Sequence, residues 1–207
     1  MYRPPHFQPQ SEGDALKAIE AWPLATLVTD GLVATHLPML LQGDVLTGHV
    51  ARANPHWQQA PDGALALAIF QGPSAYVSPG FLATKAEHGR VVPTYNYVAV
   101  HVHGRIAWID DAEAKRGIVR ELTDRFEAAE RKPWSIDDAP ADYIDAMLRG
   151  IVGVRLHIER IESQFKLSQN RTEDDRTGVE LGLDGRTDAG SRAISELMRA
   201  QGRPPSG

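Results

Sequence analysis

The sequence contains no cysteine. That single absence excludes disulfide staples, zinc–thiolate sites, iron–sulfur clusters and cysteine nucleophiles, and it fits a cytoplasmic setting. Long apolar runs are missing too. No stretch approaches the ~18 residues that a membrane-crossing helix needs, so no membrane span is expected. The opening Met1-Tyr2-Arg3-Pro4-Pro5-His6 lacks the apolar core of a secretory signal. Excess positive charge is absent: the formal net charge is −5 and the pI about 5.9. Electrostatically driven nucleic-acid binding shows a basic patch, so the total charge does not support DNA as a partner. There is no Gly-x-Gly-x-x-Gly fingerprint, no Walker-type phosphate loop and no Gly-x-Ser-x-Gly nucleophile elbow.

What is present is a chain of 207 residues, 42% hydrophobic and 24% charged, enough for a sizeable core. Ser11 and Asp14 form a capping box ahead of Leu16, Ile19 and Trp22, which predicts a helix ended by Pro23. Strands follow over 24–29, 32–41 and 45–50, with turns at Asp30-Gly31 and Gln42-Gly43-Asp44. A short helical segment is expected over 53–59. Strands 65–70 and 75–78 are separated at Gly72-Pro73, and a long strand covers 98–109. Asp110 with Glu113 reads as a second capping pair for a helix carrying Ile118, Leu122 and Phe126. A further helix spans about 140–149, and 151–161 returns to a strand pattern. Residues 171–207 hold seven acidic residues and six arginines. They read as a peripheral tail with one short helix near 191–201. Hairpin-linked strands framed by helices predict an α+β protein built on an antiparallel barrel.

Polar groups concentrate in five segments: 34–39, 48–57, 72–79, 92–104 and 166–171. In the second, a strand ends at His49, a turn holds Arg52, and Asn54-Pro55 opens a short helix. Strand-end N–H groups, a guanidinium and a helix start suit an anion such as a phosphate. Equally, Arg52 reads as a surface charge and Asn54 as a helix cap. His101 and His103 share a strand face and could chelate, but no further ligand is apparent in sequence, and no metal is expected. Tyr76, Phe81, Tyr95, Tyr97 and Trp57 suit a planar ligand or simple packing. No residue stands out as a catalytic acid, base or nucleophile. The helix with Lys115, Arg116, Arg120 and Arg125 also carries Glu113, Glu121, Asp124 and Glu127, a mixed-charge face.

Taken in order, Met1–Phe7, Ala34–Met39, His49–Trp57, Phe70–Pro79, Val92–His103, Ile151–Gly153 and Lys166–Arg171 resemble the PaiB family, the FMN-binding negative transcriptional regulators. The resemblance spans about residues 1–185. Two positions depart from it. Gly80-Phe81 follows Ser78-Pro79 where the family often has Trp-Tyr, and Tyr95 replaces a tryptophan between Thr94 and Asn96.

The resemblance implies a split β-barrel of the pyridoxamine 5'-phosphate oxidase type over residues 1–170, forming a homodimer with FMN at the interface. It further implies that His49, Arg52 and Asn54 bind the phosphate, while Thr35, His36 and Leu37 meet the isoalloxazine edge. Thr94, Tyr95, Asn96, Lys166, Ser168 and Gln169 would complete the pocket from either subunit. Flavin redox chemistry or flavin-linked regulation is the activity it implies. A transcriptional repressor acting on DNA or through a partner is the alternative, and haem is a second cofactor that related barrels use.

Overall fold

A computed structural model describes residues 1–202. The elements in chain order are α1 (Glu12–Ala21), β1 (Leu24–Thr29), β2 (Val33–Pro38), β3 (Leu40–Gln42), β4 (Val45–Ala51), α2 (His56–Gln59), β5 (Leu65–Val77), α3 (Thr84–His88), β6 (Thr94–Ile109), α4 (Ala112–Glu127), α5 (Ala141–Arg149), β7 (Ile151–Lys166), α6 (Glu173–Asp184) and α7 (Ala189–Ala200). The seven strands form one sheet in the order β2-β1-β5-β6-β7-β4-β3. The pairs β1–β2, β1–β5, β3–β4 and β4–β7 are antiparallel. This is the expected α+β architecture, a curled antiparallel sheet dressed with helices. No helix among the described residues is long and apolar enough to cross a membrane.

The chain makes two compact units, one of residues Ile19–Phe70 and His101–Ile161, the other of Met1–Ala18, Gln71–Val100 and Glu162–Gly207. In the first, alternation on β4 and β7 buries Leu46, Val50, Val152, Val154 and Leu156 to 4% exposure or less. One face of the sheet is therefore core. Gly48 allows a close approach here. A Cβ at this position would lie 2.7 Å from the Pro38 carbonyl oxygen and 3.1 Å from Leu37 Cδ1, so β2 and β4 meet across a seam. On the other face, a Cβ at Gly153 would press on Ile118 of α4 and on Ile109.

Several expectations needed revision. The predicted break at Gly72-Pro73 does not occur, and β5 is one strand of 13 residues. Its pairing with β1 ends at Ala25↔Phe70. Pro73 therefore lies past that ladder, where a missing N–H leaves no bond unmade on the β1 side. β6 begins at Thr94 rather than Val98, because Asn96 sits in the buried row with Val98, Val100 and Val102. α4 is capped by Asp111, whose carboxylate accepts from Ala114 N at 2.8 Å, and not by Asp110.

The stretch read as a tail with one helix holds two. Val179 and Leu183 of α6 and Ile194 and Met198 of α7 are completely buried. Thr172 caps α6 by accepting from Asp175 N. Three acids in its first turn suit the positive end of the helix dipole. Residues 203–207, expected to fray, lie outside the described residues. Gly178 and Gly182 form a notch on α6 that receives Phe81. A Cβ at Gly178 would fall 2.0 Å from the Phe81 carbonyl oxygen, and one at Gly182 would fall 2.3 Å from its ring. Phe81 is thus a packing knob. Gly178→Ala should lower stability by about 1–3 kcal/mol through overpacking, read as a shifted urea midpoint with the slope unchanged.

Candidate functional site

Residues 26–56 build a hydrogen-bonded corner around one histidine. Asn54 is locked by its turn: its Oδ1 accepts from His56 N at 3.0 Å, and its Nδ2 donates to Thr35 Oγ1 at 3.0 Å. Thr35 Oγ1 also meets His56 Nδ1 at 2.8 Å, and His56 Nε2 meets Thr29 Oγ1 at 2.8 Å. His56 is fully buried, and its edge packs against Trp108 at 5.8 Å between centroids. Burial lowers its pKa, so the ring is neutral with both nitrogens engaged. Strand β2, which carries Thr35, His36 and Leu37, ends the strand order. Among the described residues its outer edge therefore has no ladder partner. His36 is exposed and bonds Thr26 across the β1–β2 pair at 2.9 Å, whereas Leu37 is buried.

Arg52 sits past the end of β4, and its side chain makes four hydrogen bonds. Its Nε donates to the Arg149 carbonyl at 2.8 Å, Nη2 to the Ile151 carbonyl at 3.2 Å, and Nη1 and Nη2 to the two carboxylate oxygens of Asp110. Lys115 Nζ meets the same Asp110 carboxylate at 2.9 Å and the Ile151 carbonyl at 3.3 Å. The Lys115 side chain is 5% exposed and that of Asp110 is 61% exposed. Hydrogen bonds from Arg52 and then Lys115 hold the Asp110 pKa down to about 2. Trp57 closes the turn by donating from Nε1 to the Arg52 carbonyl at 2.9 Å, and its ring lies beneath the guanidinium at 5.7 Å.

His49 lies opposite Gly153 in the β4–β7 register. Directly paired residues share a face, so His49 is on the α4 side of the sheet. Among the described residues its Nδ1 is buried without a hydrogen-bond partner, and burial lowers its pKa.

The remaining predicted residues form a second set. Lys166 Nζ donates to Thr94 Oγ1 at 2.5 Å. Asn96, fully buried, donates to Ser168 Oγ at 2.9 Å. Gln169 Oε1 accepts from Leu167 N at 2.8 Å. Tyr95 is exposed and packs edge to face on Tyr76 at 5.8 Å. His101 and His103 do share a face, with ring centroids 6.4 Å apart. The mixed-charge face of α4 is realised as ion pairs, Arg116 with Asp145 and Arg120 with Asp137.

Thr29, His56, Asp110 and Lys115 were not singled out from sequence. His56 lay inside a polar segment. Asp110 and Lys115 had been assigned to a helix start and a solvated face.

A curled antiparallel sheet dressed with helices has the fold of a split-barrel protein. Solved structures support that fold. The FAD and heme binding protein from Mycobacterium smegmatis aligns with a TM-score of 0.56 at 21% identity, over 82% of this chain and 78% of that one. The flavocytochrome Anf3 from Azotobacter vinelandii aligns at 0.54 and 20%, over 80% and 73%. A family model described as "Putative FMN-binding domain" matches residues 1–160. The "Protease synthase and sporulation protein PAI 2" of Bacillus subtilis is 30% identical over 208 residues, 96% of each chain. The protein AN0679 of Emericella nidulans is 32% identical over 189 residues, 78% of this chain and 75% of that one. The chain belongs to the PaiB family of FMN-binding-domain proteins, and FMN is the cofactor of that family.

The residues present fit such a group. Arg52 and Lys115 already grip two oxygens of one anion, and the His49 Nδ1 stands unpartnered nearby in sequence.

The two depressed histidine pKa values carry a sign. Below the ordinary value of 6.5 the unfolded chain takes up protons that folded His49 and His56 refuse. Their contribution to stability is whole above that pH and is lost as pH falls. Urea unfolding should therefore show lower stability at pH 5.5 than at pH 7.5. Replacing either histidine by glutamine should shrink the difference, and an identical midpoint at both pH values would contradict the assignment.

Proposed function

We propose that the chain is an FMN-dependent redox protein whose flavin lies along the outer edge of β2, with its phosphate drawn toward Arg52. The observation that carries this reading is the oxyanion grip. A guanidinium fork and a buried ammonium hold both oxygens of a carboxylate that is itself 61% exposed. A phosphate monoester offers a guanidinium the same pair of oxygens with more charge. Asp110 is then the internal anion that the cofactor displaces.

Each residue of the corner has a task in this reading. Thr35, His36 and Leu37 lie on a strand whose outer N–H and C=O groups are free of a ladder, which suits the donor–acceptor edge of an isoalloxazine. Asn54, Thr35 and His56 fix that strand against α2 through bonds of 2.8–3.0 Å. His56 orients the corner through both of its ring nitrogens. Bound FMN supplies hydride or single-electron transfer. The chain binds it, orients it and excludes water. Ala34, His36, Ala51 and Ala53 are exposed, so one copy leaves this edge open. A second copy covering it would make the homodimer part of the site. Control of gene expression would then be a readout of the flavin's state.

Titration with FMN, followed by absorbance and fluorescence quenching, tests this. One FMN should bind per subunit. Arg52→Ala should weaken binding by roughly 10–100-fold, the loss of a charge-assisted hydrogen bond worth about 1.5–3 kcal/mol. Asp110→Asn should tighten it by removing the competing carboxylate. Riboflavin, which lacks the phosphate, should respond to neither change. FMN affinity unmoved by Arg52→Ala would remove the phosphate from this position.

A further inference from the structure

Helix α4 carries an apolar residue at every fourth position, Ile118, Leu122 and Phe126. The first two are buried, but Phe126 is 43% exposed. The stripe outruns its packing partners and ends in the wall of a groove of about 330 Å³. All of that groove lies within the unit of residues Ile19–Phe70 and His101–Ile161. Met39 and the whole of β3 form a second wall. Glu20 and Pro23, at the passage from α1 to β1, form a third.

β3 closes the strand order at the end opposite β2. The β1–β2 ladder runs as far as Leu24↔Pro38, with one further bond from Met39 N to the Pro23 carbonyl at 2.9 Å. Past that bond, Leu40, Leu41 and Gln42 pair with β4 alone among the described residues. A strand paired on one side leaves N–H and C=O groups on the other, and natural edges are blunted by charge, proline or brevity. β3 has only brevity: it is three residues long and its side chains are uncharged. Leu40 and Leu41 are both half-buried. Neighbours on a strand point to opposite faces, so both faces of this edge are apolar.

Charge selects the occupant. Glu20, Glu121 and Asp124 bring three carboxylates to the groove, against one guanidinium. That guanidinium, of Arg125, donates to the Glu20 carbonyl at 3.5 Å. A second copy laid edge to edge would set these carboxylates against themselves, and like charges across an interface repel. A small cation would meet the carboxylates but leave the strand edge and Phe126 uncovered. An extended segment of basic and apolar residues satisfies all three features at once. We propose that the groove docks such a segment, a lysine- or arginine-bearing stretch of a partner protein that adds a strand to β3. Backbone bonds to Leu40, Leu41 and Gln42 align it. Its apolar side chains cover Phe126 and the two leucines, while its cations meet the carboxylates. Docking here requires neither Arg52 nor a bound flavin.

The probe is a short fluorescein-labelled peptide alternating lysine with valine, titrated with the intact chain and read by fluorescence anisotropy. Saturable binding is expected, with slowed hydrogen exchange of the amides in 40–42. Phe126→Ala should weaken it roughly tenfold, as loss of an aromatic anchor does. Glu121→Lys combined with Asp124→Lys should weaken it at least as much by reversing the charge. All three side chains are exposed, so an unmoved urea midpoint shows that folding is intact. The same peptide N-methylated along its pairing edge should not bind. Absence of peptide binding, or binding indifferent to these variants, would overturn the proposal. Equal binding of the N-methylated peptide would reduce the contact to charge alone and sink the added strand. Lysine amide competing as well as the peptide would assign the groove to a small cation. A sedimentation mass that doubles with concentration, and returns to one subunit in Phe126→Ala, would give it to a second copy.

Discussion

A lysine ammonium withdrawn from water must be given an anion, and much of the larger unit follows from how Lys115 is given one. Its side chain, on the inner face of α4, reaches the Asp110 carboxylate. That commitment explains why the next residue, Asp111, does the capping of α4. The same carboxylate attracts Arg52 from the end of β4, and Arg52 in turn holds the carbonyls of Arg149 and Ile151, where α5 turns into β7. One buried charge therefore fixes four element ends relative to one another. A surface ion pair of the same composition would contribute little. This one gains its hold because one member is almost wholly desolvated and both cations also bind backbone carbonyls.

The fold was legible wherever burial and residue type agreed. The alternation Val98-Val100-Val102 and the turns at Asp30-Gly31 and Gln42-Gly43-Asp44 read as what they are. Reading failed where a polar residue occupies a buried row. Asn96 hid the first part of β6, and the run Glu162-Ser163-Gln164 hid the last part of β7, though all four residues are 9% exposed or less. It failed again at α6, where Gly178 and Gly182 dilute the helical signal. Their reason is a neighbour, Phe81, about 100 residues away in sequence.

The site was half legible for a related reason. Sequence exposes which residue types gather, not which of them satisfy one another. Thr35 and Asn54 stood out as polar groups in apolar surroundings, but the residue that joins them, His56, looked like one more member of a segment. Arg52 was visible as a cation at a strand end. Its partner Asp110 lies 58 positions away and resembled a helix cap.

The seam at Gly48 shows how narrowly the curl of the sheet is specified. β2 and β4 approach there, yet they are not neighbours in the strand order. The contact places a glycine Cα under the carbonyl of Pro38, a residue that has no N–H to leave unsatisfied. Across most of the sheet, hydrogen-bond register sets the spacing in whole residues. At this overlap the spacing is set by atomic radii, in tenths of an ångström. The girth of the rolled sheet, and with it the reach from the edge of β2 to the end of β4, is therefore gauged by the absence of a single methyl group.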